Sequence, residues 1–402
     1  MREETTTSMM DLPLLIMENI LSRLSPKTIF ICRTVSKSWL NLISLPEFCK
    51  LQLSRSPANL IIYLSHISMR LPFSSVFKFV NLEDTPYHHI LTYEPNLDLD
   101  IKPHFPDADF TPVGSIHGLI CLFHMPRYSG LDTVYVFNPT TREYITLPEV
   151  KGLREYPNLV TYGFGFDSQR MEYKVVRIYQ VETRDPERGT CYYTSEVQVY
   201  TLGQTGSWRS IGYVKRCFGC RSSGVYLKGK LHWLVGDGDG NESICFIDMH
   251  EEESGQWILD RQDGELCHTF STAPGFNKEN CPNLRSLGVF GDHLCVCDNN
   301  AESQVNVWVM KEYGVTSSWS KEVVINITPE YNWICYQMIQ VLKVFQDGEI
   351  LFQWWEDYLF TYHPQKKILT KIENFSGNFW ASTHISSLLS LKNFGKEIVH
   401  NL

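Results

Sequence analysis

The sequence predicts a chain of α+β class in two domains, a small all-α module of three helices followed by a large all-β domain closed into a ring. Three observations predict this. The hydrophobic period changes near residue 55: Leu12, Ile16, Ile20 and Leu24 recur every fourth residue, whereas the segments beyond alternate with period two and are rich in Val, Ile, Tyr, Phe and Trp. The second domain repeats itself, with strand-pair turns near Gly118, Ser168, Gly229, Gly291 and Gly348, spaced by 50, 61, 62 and 57 residues. With 402 residues, 43% hydrophobic and 20% charged, the chain has ample core material for both and is neither disordered nor a lone small fold.

In chain order, residues 1–9 form a flexible N-terminus, since Met1 to Ser8 carry acids and no apolar segment of a secretory or transit peptide. Residues 10–50 form the helical module, in which Val35, Trp39 and Ile43 repeat the four-residue spacing after Ser36, a helix N-cap. Residues 51–59 are a linker. The β domain spans 60–392 and a tail spans 393–402. Five hairpins carry the repeat: Val134–Leu147, Val197–Ile211, Ile244–Leu259, Val305–Val323 and Tyr358–Ile372. Each joins a preceding strand pair into a four-stranded unit of about 57 residues, the size of a β-propeller blade. One unit upstream of Gly118 reaches Ile61, inside the run Asn59 to Leu64, and a last alternating stretch covers Phe379–Leu391. The reading is a propeller of six blades, one of them closed by strands from both ends of the domain. Only a ring buries every blade face and protects every edge.

The charge is −9, from 36 Lys and Arg against 45 Asp and Glu, which argues against nucleic acid or an anionic membrane as partner. No apolar run approaches a membrane span. The twelve cysteines, scattered through a chain without an export signal, read as reduced thiols of a cytoplasmic or nuclear protein.

Leu12-Pro13, Ile16, Ile20-Leu21, Arg23-Leu24, Pro26-Lys27, Cys32-Arg33, Val35 to Trp39, Ile43 and Pro46-Glu47-Phe48 together resemble an F-box, with Ser25 where that family often has Pro. The resemblance implies that Leu12, Pro13, Ile16, Ile20, Leu24, Pro26, Val35 and Trp39 divide between the helical core and a face that docks on the Skp adaptor of a cullin–RING ubiquitin ligase. The remainder resembles the kelch-like F-box-associated domain of plant F-box proteins, including the S-locus F-box group. The stretches that carry this likeness are Ser115 to Leu122, Phe137-Asn138-Pro139-Thr140-Thr141-Arg142-Glu143-Tyr144, Tyr162 to Asp167, Leu231 to Leu234 and Val307 to Val315 with Ser318-Trp319. His117 replaces the Asn common before Gly-Leu. These motifs read as strands and turns, marking the scaffold.

No phosphate loop, His-Glu-x-x-His pair or nucleophile elbow occurs. Asp237, Asp239, Asn241 and Asp248 have the oxygen spacing of a calcium loop, but Glu242 replaces its turn glycine, so the segment reads as a solvated turn. Cys217, Cys220, Cys295 and Cys297 lack the paired spacing of a zinc ribbon. Trp208, Trp257 and Trp319 recur at equivalent hairpin positions and read as blade packing. No catalytic residue, metal or cofactor is assigned. The expected function is a non-catalytic substrate receptor of a Skp–cullin–F-box ligase whose propeller captures a protein target. The alternatives are an F-box scaffold acting outside a ligase and a propeller enzyme.

Turns after the first and third strands of a blade share one face, and those after the second and fourth share the other. The second set is long: Phe123–Thr133, Val150–Thr161, Gln180–Ser195, Gly212–Ser223, Gly236–Ser243, Gly264–Leu284 and Asp298–Gln304. Long loops without structure of their own are more often binding elements than connectors. The expected target contacts are Arg184, Glu187, Arg188, Lys215, Arg216, Arg221, Asp237 and Asp239.

Overall fold

The computed structural model describes residues 12–65, 75–85, 89–95, 98–106, 109–124, 132–150, 160–184, 191–204, 206–218, 223–236, 241–250, 252–253, 256–257, 268–273, 285–301, 304–327, 337–354, 358–372, 375 and 379–402. Its helices are α1 (Leu14–Leu21), α2 (Pro26–Cys32), α3 (Lys37–Ile43) and α4 (Pro46–Arg55). The Ser36 hydroxyl caps α3 by accepting from the Trp39 amide at 3.1 Å, as its place before the apolar repeat predicts. Ser25 caps α2 through the Thr28 amide, and Pro26 and Pro46 open their helices where no amide is needed. The fourth helix departs from the three expected and runs into residues assigned to a linker. Its inward side holds only Phe48, Cys49 and Gln52, too few apolar positions to show a helical period.

The β domain begins with β1 (Ala58–Ser65), β2 (Ser75–Asp84) and β3 (His89–Tyr93), with the short β4 (Leu99–Asp100) also on β2. The second blade is β5 (Phe110–Ile116), β6 (Leu119–His124), β7 (Thr133–Asn138) and β8 (Glu143–Thr146). The third is β9 (Val160–Asp167), β10 (Glu172–Arg184), β11 (Cys191–Thr201) and β12 (Arg209–Val214). In the fourth, β13 (Cys217–Phe218) and β14 (Val225–Leu227) both pair with β15 (Lys230–Gly236), followed by β16 (Glu242–Asp248). A separate hairpin of β17 (Glu252–Glu253) and β18 (Gln256–Trp257) intervenes before the outer strand, β19 (His268–Ser271). The fifth blade is β20 (Arg285–Phe290), β21 (His293–Ala301), β22 (Gln304–Met310) and β23 (Trp319–Asn326). The sixth is β24 (Ile339–Val344), β25 (Ile350–Trp354), β26 (Tyr358–His363) and β27 (Ile368–Ile372). Then β28 (Phe379–Ile385) pairs with β1, supplying the innermost strand of the first blade and closing the ring of six. Finally β29 (Val399–Asn401) joins the outer edge of β8, so residues expected as a tail carry a strand.

Further expectations for the β domain need correction. The hairpin expected at Ile244–Leu259 does not form; the partner of β16 is β19, whose short, polar sequence hides it, and Trp257 lies in the separate hairpin. Gln180–Ser195 and Asp298–Gln304 are not plain loops, because β10 pairs with β11 as far as Arg184–Cys191 and β21 with β22 as far as Ala301–Gln304. Gly264–Leu284 contains β19. The tryptophan reading holds at two positions: Trp208 donates across a seam to Pro148 O at 2.7 Å and Trp319 to Ser271 O at 3.2 Å.

Each pair of neighbouring blades has its own apolar core, and the six cores together make the ring. Strand alternation explains how one run serves two seams: on β1, Leu60, Ile62 and Leu64 face the sixth blade while Ile61 and Tyr63 face the second. A strand buried on both faces reads as unbroken apolar sequence, as Leu60 to Leu64 does. Among the described cysteines, Cys32, Cys49, Cys121, Cys217, Cys295 and Cys297 are free thiols. Cys245 is disulfide-bonded, against the expectation of reduced thiols throughout.

The helical module rests on the face bearing the first and third turns. After β28 the chain crosses that face. Leu388 enters the module's core beside Met17, Leu21, Trp39 and Phe48, while the side-chain amide of Asn138, at the end of β7, donates to Ser387 O and Leu389 O.

Candidate protein-interaction surfaces

The helical module is too small to bury all its apolar residues. Met17, Leu21, Ile29, Trp39, Leu42, Ile43 and Phe48 fill its core. Outside it lies an exposed apolar set on α1, α2 and the turn before α3: Leu14, Leu15 (77% exposed), Ile16, Ile20, Phe30, Ile31 (60%) and Val35 (55%). Of the residues named from sequence, Trp39 is buried in the core and Leu24 packs against it, whereas Leu12 and Pro26 are half-buried. Pro13, Ile16, Ile20 and Val35 are exposed. The docking residues assigned from sequence left out Leu14, Leu15, Phe30 and Ile31, although Leu14 and Leu15 belong to an apolar excess on α1 greater than the module's own core needs. The available signal was the unbroken run Leu14-Leu15-Ile16-Met17, since a helix turns only part of such a run inward. The Arg33 guanidinium lies 5.3 Å from the centre of the Phe30 ring, so a positive charge stands beside this set. Burial pushes the Cys32 and Cys49 thiols up, leaving both neutral inside the module.

The opposite face carries the second and fourth connections. Buried ion pairs pin their bases. Between the second and third blades, Arg177 Nε meets Asp132 Oδ2 at 3.1 Å, Arg177 Nη1 donates to Gln198 at 3.1 Å, and the Tyr162 hydroxyl donates to Asp132. Burial, reinforced by the Asp132 charge, pushes the Tyr162 phenol well up. Between the fourth and fifth blades, Arg285 meets Glu242 at 2.8 Å and Asp298 at 3.4 Å. Burial raises the Glu242 carboxyl despite that guanidinium.

On this face β10 and β11 continue past Val160, the last partner of β10 on β9, as a two-stranded ribbon with Val181 exposed. The Gln180 amide donates to Phe218 O and accepts from Phe218 N, both at 2.8 Å, and Ser195 Oγ donates to Arg216 O at 2.9 Å. The exposed Lys215 and half-buried Arg216 are thereby held against the base of the ribbon whose far end carries Arg184. Glu187, Arg188, Arg221, Asp237 and Asp239 lie outside the described residues, and the calcium spacing therefore has only Asn241 and Asp248 described. Asp248 pairs with Lys230. Cys217 lies on the fourth blade, whereas Cys295 and Cys297 are buried in the seam between the fifth and sixth.

The innermost strands enclose a central channel of about 740 Å³ lined in part by Thr111, Gly224, Ser286, Gln340, Trp380 and Thr383. Among the described lining residues the one carboxylate is Asp109.

With this geometry in view, two family models match. That of the F-box associated beta propeller domain covers residues 74–386 and that of the F-box domain residues 9–51. In Arabidopsis thaliana, F-box protein At3g07870 is 29% identical over 284 residues, 64% of each chain, so this chain spans just under two thirds of that relative. F-box protein CPR1 is 28% identical over 78% of this chain and 72% of its own length, and F-box/kelch-repeat protein At3g23880 is 26% identical over 87% and 90%. Among solved structures, an Aleuria aurantia lectin aligns with a TM-score of 0.37 and 10% identity over 83% of this chain and 97% of its own, a likeness too slight to carry an argument.

Proposed function

Because the chain belongs to the F-box proteins that carry an F-box-associated β-propeller, we propose that it is the substrate-recognition subunit of a Skp–cullin–F-box ubiquitin ligase. The observation that carries this reading is the exposure of Leu14, Leu15, Ile16, Phe30, Ile31 and Val35 within the matched helical module. So many exposed large apolar side chains on one small module are costly in water and mark a protein-binding site. The Skp-type adaptor covers these side chains and brings cullin and RING subunits with it. The propeller then presents a target lysine to charged ubiquitin, so that rate is gained by effective concentration, with no bond chemistry performed by this chain.

The target binds the face away from the helical module. Support comes from the ribbon of β10 and β11 and from the cations Lys215 and Arg216 at its base, a surface suited to selecting partners by charge pattern. No helix described is long and apolar enough to cross a membrane, and a cytoplasmic or nuclear site of action fits the pairing with cullin.

Titration of the purified chain with a Skp-type adaptor tests the docking. Leu15→Asp and Ile31→Asp are each expected to weaken binding by at least tenfold, since a buried interface anchor contributes about 2 kcal/mol or more. Unchanged affinity in both variants would sink the reading. Replacing residues 182–193 by a two-residue Asn-Gly turn is expected to abolish recovery of the target from proteasome-blocked cells while adaptor binding persists. Target recovery at the wild-type level would refute the placement on that face.

A further inference from the structure

We propose that Asn138 and Glu143, the strand residues that flank the turn between β7 and β8, are positioning residues: they grip residues 387–391 of the same chain and thereby fix the direction in which the propeller points from the helical module. The segment after β28 is divided between two owners by its own alternation. Asn138 Nδ2 donates to Ser387 O at 3.1 Å and Leu389 O at 2.6 Å, on the propeller side. On the module side, Ser386 O accepts from Gln52 Nε2 at 3.4 Å and Leu388 O from Cys49 Sγ at 3.7 Å. Leu388, 5% exposed, is part of the module's core. Successive carbonyls of an extended chain point to opposite sides, so one short strap can join two bodies without leaving either set of polar groups unpaired.

The grip is built to hold. Asn138 is fully buried, and its Oδ1 accepts from the Thr140 and Thr141 amides at 2.9 and 3.3 Å, which locks the amide so that Nδ2 faces the strap. Glu143 accepts from Ser390 Oγ at 3.0 Å and from the Leu391 amide at 2.8 Å, with Thr141 Oγ1 at 3.1 Å as support. Beyond it, Leu391 is buried in the seam between the second and third blades, and Glu397 accepts from Gly203 N at 2.7 Å and the Tyr200 hydroxyl at 3.2 Å. Among the described residues the module's other attachment is covalent, from α4 at Arg55 to β1 at Ala58. A body held by one short link can swivel about it. A second anchor removes that freedom.

The functional weight of this inference rests on the adaptor reading, but its test does not. Noncanonical spin-label residues placed at the exposed Lys37 and Lys366 report the distance between module and propeller in the full chain without adaptor. The wild type is expected to give one narrow distance distribution. Asn138→Asp keeps the acceptor for the Thr140 and Thr141 amides but loses the donor to the strap, so its distribution is expected to be at least twice as wide, as in Asn138→Ala. Glu143→Gln, still able to accept from Leu391, is expected to stay narrow where Glu143→Ala broadens. A narrow distribution in Asn138→Asp overturns the proposal, because a residue needed only for its own turn would behave in that way. Leu388→Asn severs the strap from the module without touching the propeller. It is expected to broaden the distribution at an unchanged propeller melting temperature, and a wild-type distribution there also overturns the proposal.

Discussion

At Asp167, a carboxylate with no exposed surface binds the third and fourth blades together. It accepts from His250 Nδ1 at 2.7 Å, the Gln169 and Arg170 amides at 3.0 and 3.1 Å, Arg170 Nη1 at 3.1 Å and the buried Lys174 Nζ at 3.2 Å. Burial works to raise its pKa, but the bonds from His250 and Arg170 and the Lys174 charge outweigh it and hold the carboxyl well below its ordinary value. Removing one partner of a buried pair leaves the other uncompensated, so Asp167→Asn is expected to lower stability at pH 7 by about 3–5 kcal/mol in urea unfolding. The Asp167 contribution is full above the unfolded carboxylate pKa and fades as pH falls below it toward the depressed folded value, so the variant should lose less stability on acidification. Two buried imidazoles act over a higher window. Burial lowers both His232 and His384 to about 4. They are neutral in the fold, while the unfolded chain takes up their protons below its ordinary value of about 6.5. Their contribution is therefore complete above that pH and declines down to about pH 4. Replacing both by Gln should flatten the urea midpoint between pH 6.5 and 4.5; an unchanged slope contradicts the assignment. At this scale the sequence was half legible. Asp167 stood in a motif read as strand and turn, but nothing in its neighbours announced His250 from the next blade.

Among the elements, β9 shows why a strand can need glycine on its inward side. A Cβ at Gly163 would lie 2.6 Å from the Trp233 ring, and one at Gly224, the parallel-bridge partner of Gly163, 2.5 Å from it. At Gly165 the nearest atom is Met249 Sδ at 2.6 Å, the flexible end of a side chain. Gly163→Ala is therefore expected to cost about 1–3 kcal/mol, and Gly165→Ala less because Met249 can move. Thermal unfolding of the two variants checks the order, and a larger loss at Gly165 would contradict it. The glycines of Tyr162 to Asp167 were visible as a motif, whereas the indole they accommodate comes from another blade. Element boundaries were legible where periodicity was strong, as at Leu12 to Leu24 and at the turns near Gly118 and Gly291. They were lost where an element buries few residues. The helix α4 turns only Phe48, Cys49 and Gln52 inward, and β19 is four residues long with an alternation of half-buried and exposed positions. The ribbon of β10 and β11 was mistaken for a loop because Gln180 to Arg184 and Cys191 to Ser195 mix polar with apolar residues, while pairing depends on backbone partners.

Over the whole molecule, six seams share the burial, and the sixfold count was legible because the spacing of turns survives divergence of the residues between them. One seam differs from the rest. Within the first blade, β28 pairs with β1 from Ala58–Ile385 to Leu64–Phe379, and Gln353 ties the new strand to the sixth blade by donating to Phe379 O at 2.7 Å and accepting from Ala381 N at 2.9 Å. Ala381→Pro removes that amide and leaves the Gln353 acceptor unpaired, so the ring closure should loosen and become sensitive to limited proteolysis, with a melting temperature lower by a few degrees on the scale of about 1–3 kcal/mol for a buried polar group left unsatisfied. The pairing of Ile62 with Ala381 also has a temporal meaning. A ribosome adds about 5–20 residues per second, so the inner edge of β1 stays uncovered for a quarter of a minute or more after it leaves the exit tunnel. The helical module, made first, lacks Leu388 for the same interval. A nascent chain interrupted before β28 would thus carry both an unfinished ring and an unseated module, and the cell's chaperones and proteases would meet it before any adaptor could profit from it.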